Sequence, residues 1–502
     1  MCRLAGDGAG IEPEQAVVYA VARREDDRRT RFPEMIRFHF ARPCGRIGCL
    51  GLVAILQLAA GCAAYHPLPL ATAPHLAERP GDLTVEYAQS AGERGQRGVN
   101  RRIDVSRPLS LDDIGWLALL NDPELAAQRG ALSSAEADLL QASLLPNPSA
   151  SVSYSVLIGG PGDTPAWSAS LTEDIAALVT YRPRLQAARA AAGQVSAQLL
   201  WEQWQVAEKA RLTALDLYWA EQSLGAMSRE RDVLATEIRE VRRALAAGDL
   251  DSSALAPLEA SLATVDQSLA TLRLGELTSW QSLDALLGLA PDVRFQIAPP
   301  ALAEPPADPR ALIASLPRRR PDLIALQLGY RSADRSVRAA ILGQFPALVL
   351  GGAWSQDTTN VRSAGPTATF DLPIFNRNQG QVAQTRATRL TLHEQYQARL
   401  DAASSEVRGL DAQARRLATD IASAREAAAS AESLERDARA AYSQGNLDQR
   451  TLTDYQTAAL EREIELHTLE RSRGEVLITL TVSLALGLPE TLIIPPAKAR
   501  LP

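Results

Sequence analysis

The sequence predicts an α+β membrane protein. It is one unit written twice, and each copy joins two amphipathic strands to a long antiparallel helical hairpin. Three observations predict this. The first is the duplication. "NDPEL" from Asn121 and "RRPDL" from Arg319 set Pro123 and Pro321 at a spacing of 198, and Pro148 and Pro346 repeat that spacing. "AAGDLDSSAL" around Gly248 answers "SQGNLDQRTL" around Gly445 at 197, and "LLGLAP" near Gly288 answers "LALGLP" near Gly487 at 199. Markers that keep nearly constant spacing over half the chain mean that it must be read repeat by repeat.

The second observation is strand patterning. In "SASVSYSV", Val152, Tyr154 and Val156 alternate with serines, and in "WSASLT", Trp167, Ala169 and Leu171 alternate with Ser168, Ser170 and Thr172. In "TATFDL", Ala368, Phe370 and Leu372 alternate with Thr367, Thr369 and Asp371, while "ALVLGGAW" is apolar through Leu348, Leu350 and Trp354 and small on its other face. A period of two puts one face in an apolar medium and the other in water. Strands are expected at about 149–157, 166–174, 347–355 and 366–373, joined by the loops "LIGGPGD" and "SQDTTNVRSAG". A soluble sandwich is the competing reading, but four strands in two distant pairs supply it poorly. Nor can four strands close a membrane barrel, because barrels start at eight. Two chains would give eight strands and a packed interior; three would give twelve and room for water.

The third observation is helical. From about Arg184 to Leu245 and from Gln381 to Tyr442 no proline intervenes, and about sixty residues at 1.5 Å each make a rod of about 90 Å. The second rod has a 3–4 spacing through Val407, Leu410, Ala414, Leu417, Ile421, Ala424, Ala428 and Ala431, which permits close helix approach and supercoiling. Gly248 and Gly445 suit the left-handed residue that ends a helix before the chain turns back. A plain coiled-coil spacer would explain the rods but not the strands. "SLDD" at Ser110–Asp113 reads as a capping box opening the first repeat.

The remaining segments follow. From Met35, "MIRFHFARPCGRIG" supplies Arg37, Arg42 and Arg46, then an apolar run ends in "LAAGC" at Cys62. That order of basic, apolar and small residues is a secretory signal, and the run is too short to span a membrane. Translation is therefore expected to start at Met35, with residues 1–34 a mis-assigned extension and 35–61 a signal. Residues 62–107 form a proline-rich segment, 108–290 the first repeat, 291–320 a linker with one small helix, 321–490 the second repeat and 491–502 a tail. Cys2, Cys44 and Cys49 precede Cys62, so a chain cut there keeps one cysteine and no disulfide. Residues 1–61 hold nine Arg against seven Asp and Glu, which leaves the mature chain at −9 against −7 for the whole. With no basic stripe, nucleic acid is excluded as a partner.

"LAAGC" resembles the lipobox of bacterial lipoproteins, with Cys62 as the acylated residue and Ala59 where leucine is commoner. The motifs "NDPEL", "LLPNPS", "DLYWAEQ", "RRALAAGDLD", "LLGL", "RRPDL", "FPAL", "DLPIFNRNQGQVAQTRA" and "AYSQGNLDQRTLTDYQTAALE" span about 108–490. Through them the chain resembles an outer-membrane efflux channel of the TolC family, in the lipoprotein branch serving resistance-nodulation-division type pumps. The resemblance implies a homotrimer with a twelve-stranded β-barrel in the outer membrane, continuous with a coiled-coil α-helical tunnel through the periplasm. It also implies a periplasmic adaptor (membrane fusion protein) and an inner-membrane pump as partners, and a periplasmic gate of acidic rings. The positions here are Asp454 and Asp448 in the second hairpin and Asp249 and Asp251 in the first; Asp249 and Asp448 read equally well as helix caps. A type I protein-secretion outlet and a non-conducting periplasmic scaffold lipoprotein are the alternatives.

No enzyme is expected. His66, His75, His393 and His467 lack metal-ligand spacing, and "GGPGD" at 159–163 lacks the Lys and Ser/Thr of a phosphate loop. No cofactor or metal is expected beyond the lipid on Cys62.

Overall fold

The computed structural model describes residues 65, 67–88, 100–304, 306–487 and 489–493. Cys62, His66, the expected signal and residues 1–34 lie outside them. Contacts divide the chain into Met1–His75 and Leu76–Pro502, and the architecture below is that of the second unit.

A short antiparallel pair, β1 (Glu86–Ala88) and β2 (Asn100–Arg102), precedes the first repeat. That repeat runs α1 (Leu111–Asn121), α2 (Pro123–Ser143), β3 (Ser149–Ser155), β4 (Ala166–Asp174), α3 (Ile175–Ala247) and α4 (Leu255–Leu287). The second runs α5 (Leu316–Arg319), α6 (Pro321–Leu342), β5 (Leu348–Gln356), β6 (Arg362–Phe370), α7 (Gln379–Ser443) and α8 (Gln449–Ser483). The linker carries a 3-10 helix, Pro309–Ser315, leading into α5. Ser110 and Asp113 form the capping box: Ser110 Oγ accepts from Asp113 N at 3.1 Å, and Asp113 Oδ2 from Ser110 N at 3.3 Å.

The rods are longer than expected. α3 has 73 residues, about 110 Å of helix. It starts well before Arg184 because Asp174, the last residue of β4, caps it directly, with Asp174 Oδ1 accepting from Ala177 N at 3.1 Å. Pro183 sits inside, so a proline that looked like a boundary is carried within the helix, where it gives up one backbone bond and crowds the carbonyl four residues back. β6 also differs, starting at Arg362 and ending at Phe370 rather than spanning 366–373. Gly365 lies opposite Ala353 on the small face, and within one chain Pro366 is accommodated because β6 pairs on one side only, with β5. The loop shrinks to 357–361, and Asp371 and Leu372 fall outside the strand.

Both hairpin turns are Schellman closures. Gly248 (φ 82) and Gly445 (φ 73) take the left-handed residue. Asp249 N donates to Ala244 O and Gly248 N to Leu245 O; Asn446 N donates to Ala441 O and Gly445 N to Tyr442 O. Close to the other hairpin ends the repeats part company. α4 closes at Gly288 (φ 66), whereas the matching bonds after α8, Leu486 N to Thr481 O and Ala485 N to Val482 O, place Ala485 at φ 57. The counterpart of Gly288 is therefore Ala485, at a spacing of 197, and not Gly487.

The core sits part-way down the rods. Leu83, Leu109, Ile114, Leu117, Ala210, Leu215, Leu283, Leu287 and Ile478 form one cluster, and Leu316, Leu323, Ala403, Val407, Leu480 and Leu484 another. The linker and the short helices thus girdle the long ones, and the hairpins extend beyond. On α7 the stripe alternates as its spacing requires: Val407, Ala414 and Ile421 are buried, and Leu410, Leu417, Ala424, Ala428 and Ala431 are half-buried.

Candidate functional site

The sheet has the order β3-β4-β5-β6, all antiparallel, so the repeats meet at β4–β5. Directly paired residues share a face. One face reads Ser153–Ser168–Ser355–Ser363, then Ser151–Ser170–Ala353–Gly365, then Ser149–Thr172–Gly351–Thr367. The hydroxyls of Ser153 and Ser168 and those of Ser355 and Ser363 lie 2.8 Å apart, and those of Ser151 and Ser170 lie 2.9 Å apart. A side chain at Gly351 would meet Leu171 O at 2.2 Å, so that row admits no larger residue there. The opposite face carries Val152, Tyr154, Trp167, Leu171, Leu350, Trp354 and Phe370, all exposed; the Tyr154 and Trp167 rings meet at a tilt of 56° with centroids 4.7 Å apart. Ser153, Ser170 and Thr369 thus share one face, and Tyr154, Trp167 and Phe370 the other. β3 and β6 are open edges among the described residues.

The helices bring both turns to one end. Contacts between α3 and α8 run in opposite directions along the chain: Thr453 Oγ1 donates to Glu237 Oε2 at 3.1 Å, and Arg229 Nη2 donates to both oxygens of Glu463 at 2.6 and 2.8 Å. Higher up, Arg471 lies 3.7 Å from Asp216. α3 and α8 are therefore antiparallel neighbours, and the tips at Gly248 and Gly445 lie at the same end, away from the sheet.

At those tips the four predicted carboxylates divide. Asp448 is the N-cap of α8: its Oδ1 accepts from Thr451 N at 2.9 Å and its Oδ2 from Thr451 Oγ1 at 2.8 Å. These bonds, the backbone one foremost, hold its carboxyl below the usual range. Within one protomer Asp448 therefore acts as a helix cap. Asp251 Oδ1 accepts from Ser253 N at 3.0 Å, at the short 3-10 helix Ser252–Ala254. Asp249 is exposed in the turn. Asp454 is exposed on the first turns of α8, beside buried Leu452 and Thr453.

Sequence reasoning missed the polar contacts between the repeats. Glu237 is 2% exposed, on a stripe with Leu234, Ile238 and Val241; a glutamate where that spacing calls for an apolar residue was the available signal. "RRPDL" holds the centre of a second network. Arg320, fully buried, donates from Nε to Asp322 Oδ1 at 3.1 Å, from Nη2 to Asp322 Oδ2 at 2.9 Å and from Nη1 to Glu406 Oε2 at 3.4 Å, and it lies 4.8 Å over the Trp201 ring. Arg399 Nε adds a 2.7 Å bond to Asp322 Oδ2. Burial opposes ionisation of Asp322, but the two guanidiniums outweigh it and hold its carboxyl below the usual range. Nearby, burial pushes the Glu208 carboxyl up to about 7 against the hydrogen bond from Thr479.

Among the described residues, no group of three or more His, Cys, Asp and Glu side chains is placed to hold a metal. His393 is exposed and lies 3.1 Å from Glu394. His467 packs 5.3 Å from Trp219, and burial lowers its affinity for a proton. His75 is exposed, and Gly159–Asp163 is a loop tip whose Asp163 N donates to Thr358 O at 3.1 Å.

Residues 312–486 match the family model of outer membrane efflux proteins. The toxin and drug export protein A of Aggregatibacter actinomycetemcomitans is 29% identical over 156 residues, 28% of this chain and 33% of that protein, so the match spans about a third of that relative. Among solved structures, CusC matches with a TM-score of 0.62 at 18% identity, covering 83% of this chain and all of its own. The Campylobacter jejuni CmeC outer membrane channel matches with a TM-score of 0.63 at 16% identity, over 76% of this chain and 86% of its own. The family match covers the second repeat, and the fold match takes in the first as well. Residues 312–486 thus match the outer membrane efflux proteins, and across both repeats the chain has the fold of the solved outer membrane channels.

Proposed function

We propose that the chain is the outer-membrane channel of a tripartite efflux pump. Three copies form a passive conduit through which small molecules or metal ions cross the periplasm and outer membrane. The supporting observation is the two-faced sheet with both edges open. A bilayer offers no water to satisfy unpaired backbone groups, so an edge must be closed by another strand. Three copies supply the twelve strands that leave a water-filled bore. The apolar face meets lipid, the hydroxyl face lines water, and rods of about 110 Å reach into the periplasm. No described helix is long and apolar enough to cross a membrane, which says nothing against a barrel.

The same reading assigns the rest. Cys62 carries the lipid that anchors the mature chain, the hairpin tips dock a periplasmic adaptor, and an inner-membrane pump supplies the energy. Asp454 of three protomers faces one axis and attracts cations. Planar-bilayer recording of the full-length assembly tests this: steady conductance is expected, with weaker cation selectivity and weaker block by multivalent cations in Asp454→Ala. An assembly without conductance would favour the scaffold reading. Conductance with unchanged selectivity and block in Asp454→Ala would move the constriction to apolar residues of the tip such as Leu447.

A further inference from the structure

The three complete rows on the polar face contain twelve positions filled by seven Ser, two Thr, two Gly and one Ala. None carries charge and none is larger than threonine. Six of the hydroxyls lie in close pairs, at 2.8–2.9 Å, so their hydrogen bonding is directed along the wall as much as toward a solute. Two of the carboxylates bordering the rows are engaged in local structure, and a third, Asp371, is exposed opposite Ala347, six residues from Gly365 of the middle row. Asp174 caps α3, and Asp357 Oδ1 accepts from Thr359 N and Thr359 Oγ1 at 2.8 Å and from Val361 N at 2.9 Å. Glu173 and Arg362 fall on the opposite face, at its two margins.

The middle row lies four residues from the two nearest carboxylates, Ser170 from Asp174 and Ala353 from Asp357, or about 13 Å along a strand, and Asp371 is farther still. The screening length at physiological salt is about 8 Å. The field of either carboxylate is therefore largely spent before it reaches Ser170 or Ala353.

We propose, resting on the conduit reading above, that the sheet is a charge-blind outlet. Where it lines the bore, cations, anions and neutral solutes pass on equal terms, the bore is set by strand number and not by side chains, and any choice between charges is made at the helical end. The exported class is then not restricted by sign at the point of exit.

Single cysteines at Ser170 and Ala353 test this in the full chain, in the outer membrane of intact cells. The wild type supplies the blank, since Cys62 is the sole cysteine after Cys49. Each variant is treated with a trimethylammonium and a sulfonate methanethiosulfonate of similar size. The expected ratio of the two rates at Ser170→Cys and Ala353→Cys lies within tenfold of that for a small free thiol in the same buffer, at physiological salt and above, where the screening length is about 8 Å or less. A preference of tenfold or more for either sign, about 1.4 kcal/mol of differential potential, would overturn the proposal. Leu171→Cys, one residue from Ser170 on the apolar face, separates the two failures. If Leu171→Cys reacts while Ser170→Cys and Ala353→Cys do not, the inside-out assignment is wrong and the proposal falls with it.

Discussion

The two repeats begin their outer helices in opposite ways. Pro123 opens α2 and Pro321 opens α6, and two residues on, Leu125 and Leu323 are 1% and 0% exposed. Backbone and packing are the same. Before Pro123, however, stands Asp122, whose Oδ1 accepts from Leu125 N at 2.7 Å, an acceptor at the positive end of a helix. Before Pro321 stands Arg320, which caps nothing and would be repelled there, were it not neutralised by Asp322 and Glu406. After duplication the residues that fix chain direction and anchoring were kept. Charge was reassigned to tie α6 to α7, and to α8 through the 3.3 Å bond from Arg320 Nη1 to Ser483 O.

The largest expected effect follows from that difference. Arg320→Ala leaves Asp322 facing Arg399 alone and Glu406 without its guanidinium; breaking such a buried pair costs about 3–5 kcal/mol. Asp122→Ala, at the equivalent position, should cost about 1 kcal/mol, the loss of one cap. Denaturant unfolding of the helical signal measures both. Equal losses would mean that the starts of α2 and α6 are energetically alike after all.

In the sheet, by contrast, the repeats should behave alike. Leu171→Arg in the first and Leu350→Arg in the second, both on the apolar face, should each cost about 2–4 kcal/mol if they lie near the bilayer midplane, with little cost for Ser170→Arg or Ala353→Arg. Losses of similar size on both faces would contradict the assignment of lipid and water.

Glu208 gives the seam between α3 and α8 a pH dependence. Its carboxyl is raised from 4.5 to about 7 by burial, with Glu406 adding to the rise and Thr479, Arg320 and Arg211 opposing it. Between those values the folded chain holds a proton that the unfolded chain has lost, so stability from this group falls as pH rises from about 4.5 to about 7. Glu208→Gln should remove that fall, leaving a flatter profile than wild type. Identical profiles would show that Glu208 titrates normally.

The smallest effect returns to the comparison of helix ends. Ala485 takes a left-handed conformation where the first repeat has Gly288. Ala485→Gly should relieve that strain, which costs about 1–2 kcal/mol per residue, less the entropy that a glycine adds to the unfolded chain. A small rise in the thermal midpoint is expected; a fall would mean that the alanine's contacts matter more than its backbone.

These cases mark what the sequence made legible. Period and spacing located the four strands, their two faces and both left-handed turns, because each is a local property of residues within one element. The start of β6 was not legible, because Gly365 and Pro366 look like loop residues until β5 is placed beside them. The Arg320 network was not legible either: "RRPDL" contains two of its members, but Arg399 and Glu406 lie some eighty residues on. At the tips, four aspartates were legible as a group, but their division into caps and exposed carboxylates depends on hydrogen bonds that spacing alone does not fix.

The proposed conduit calls for several copies because the sheet does not close within one chain. Native mass spectrometry of the full-length assembly, extracted from the outer membrane in mild detergent, tests that directly. Three chains per particle are predicted, as twelve strands require. A particle of one chain would leave β3 and β6 as open edges in lipid, and a particle of two would give an eight-stranded barrel with no bore; either would contradict the shared conduit.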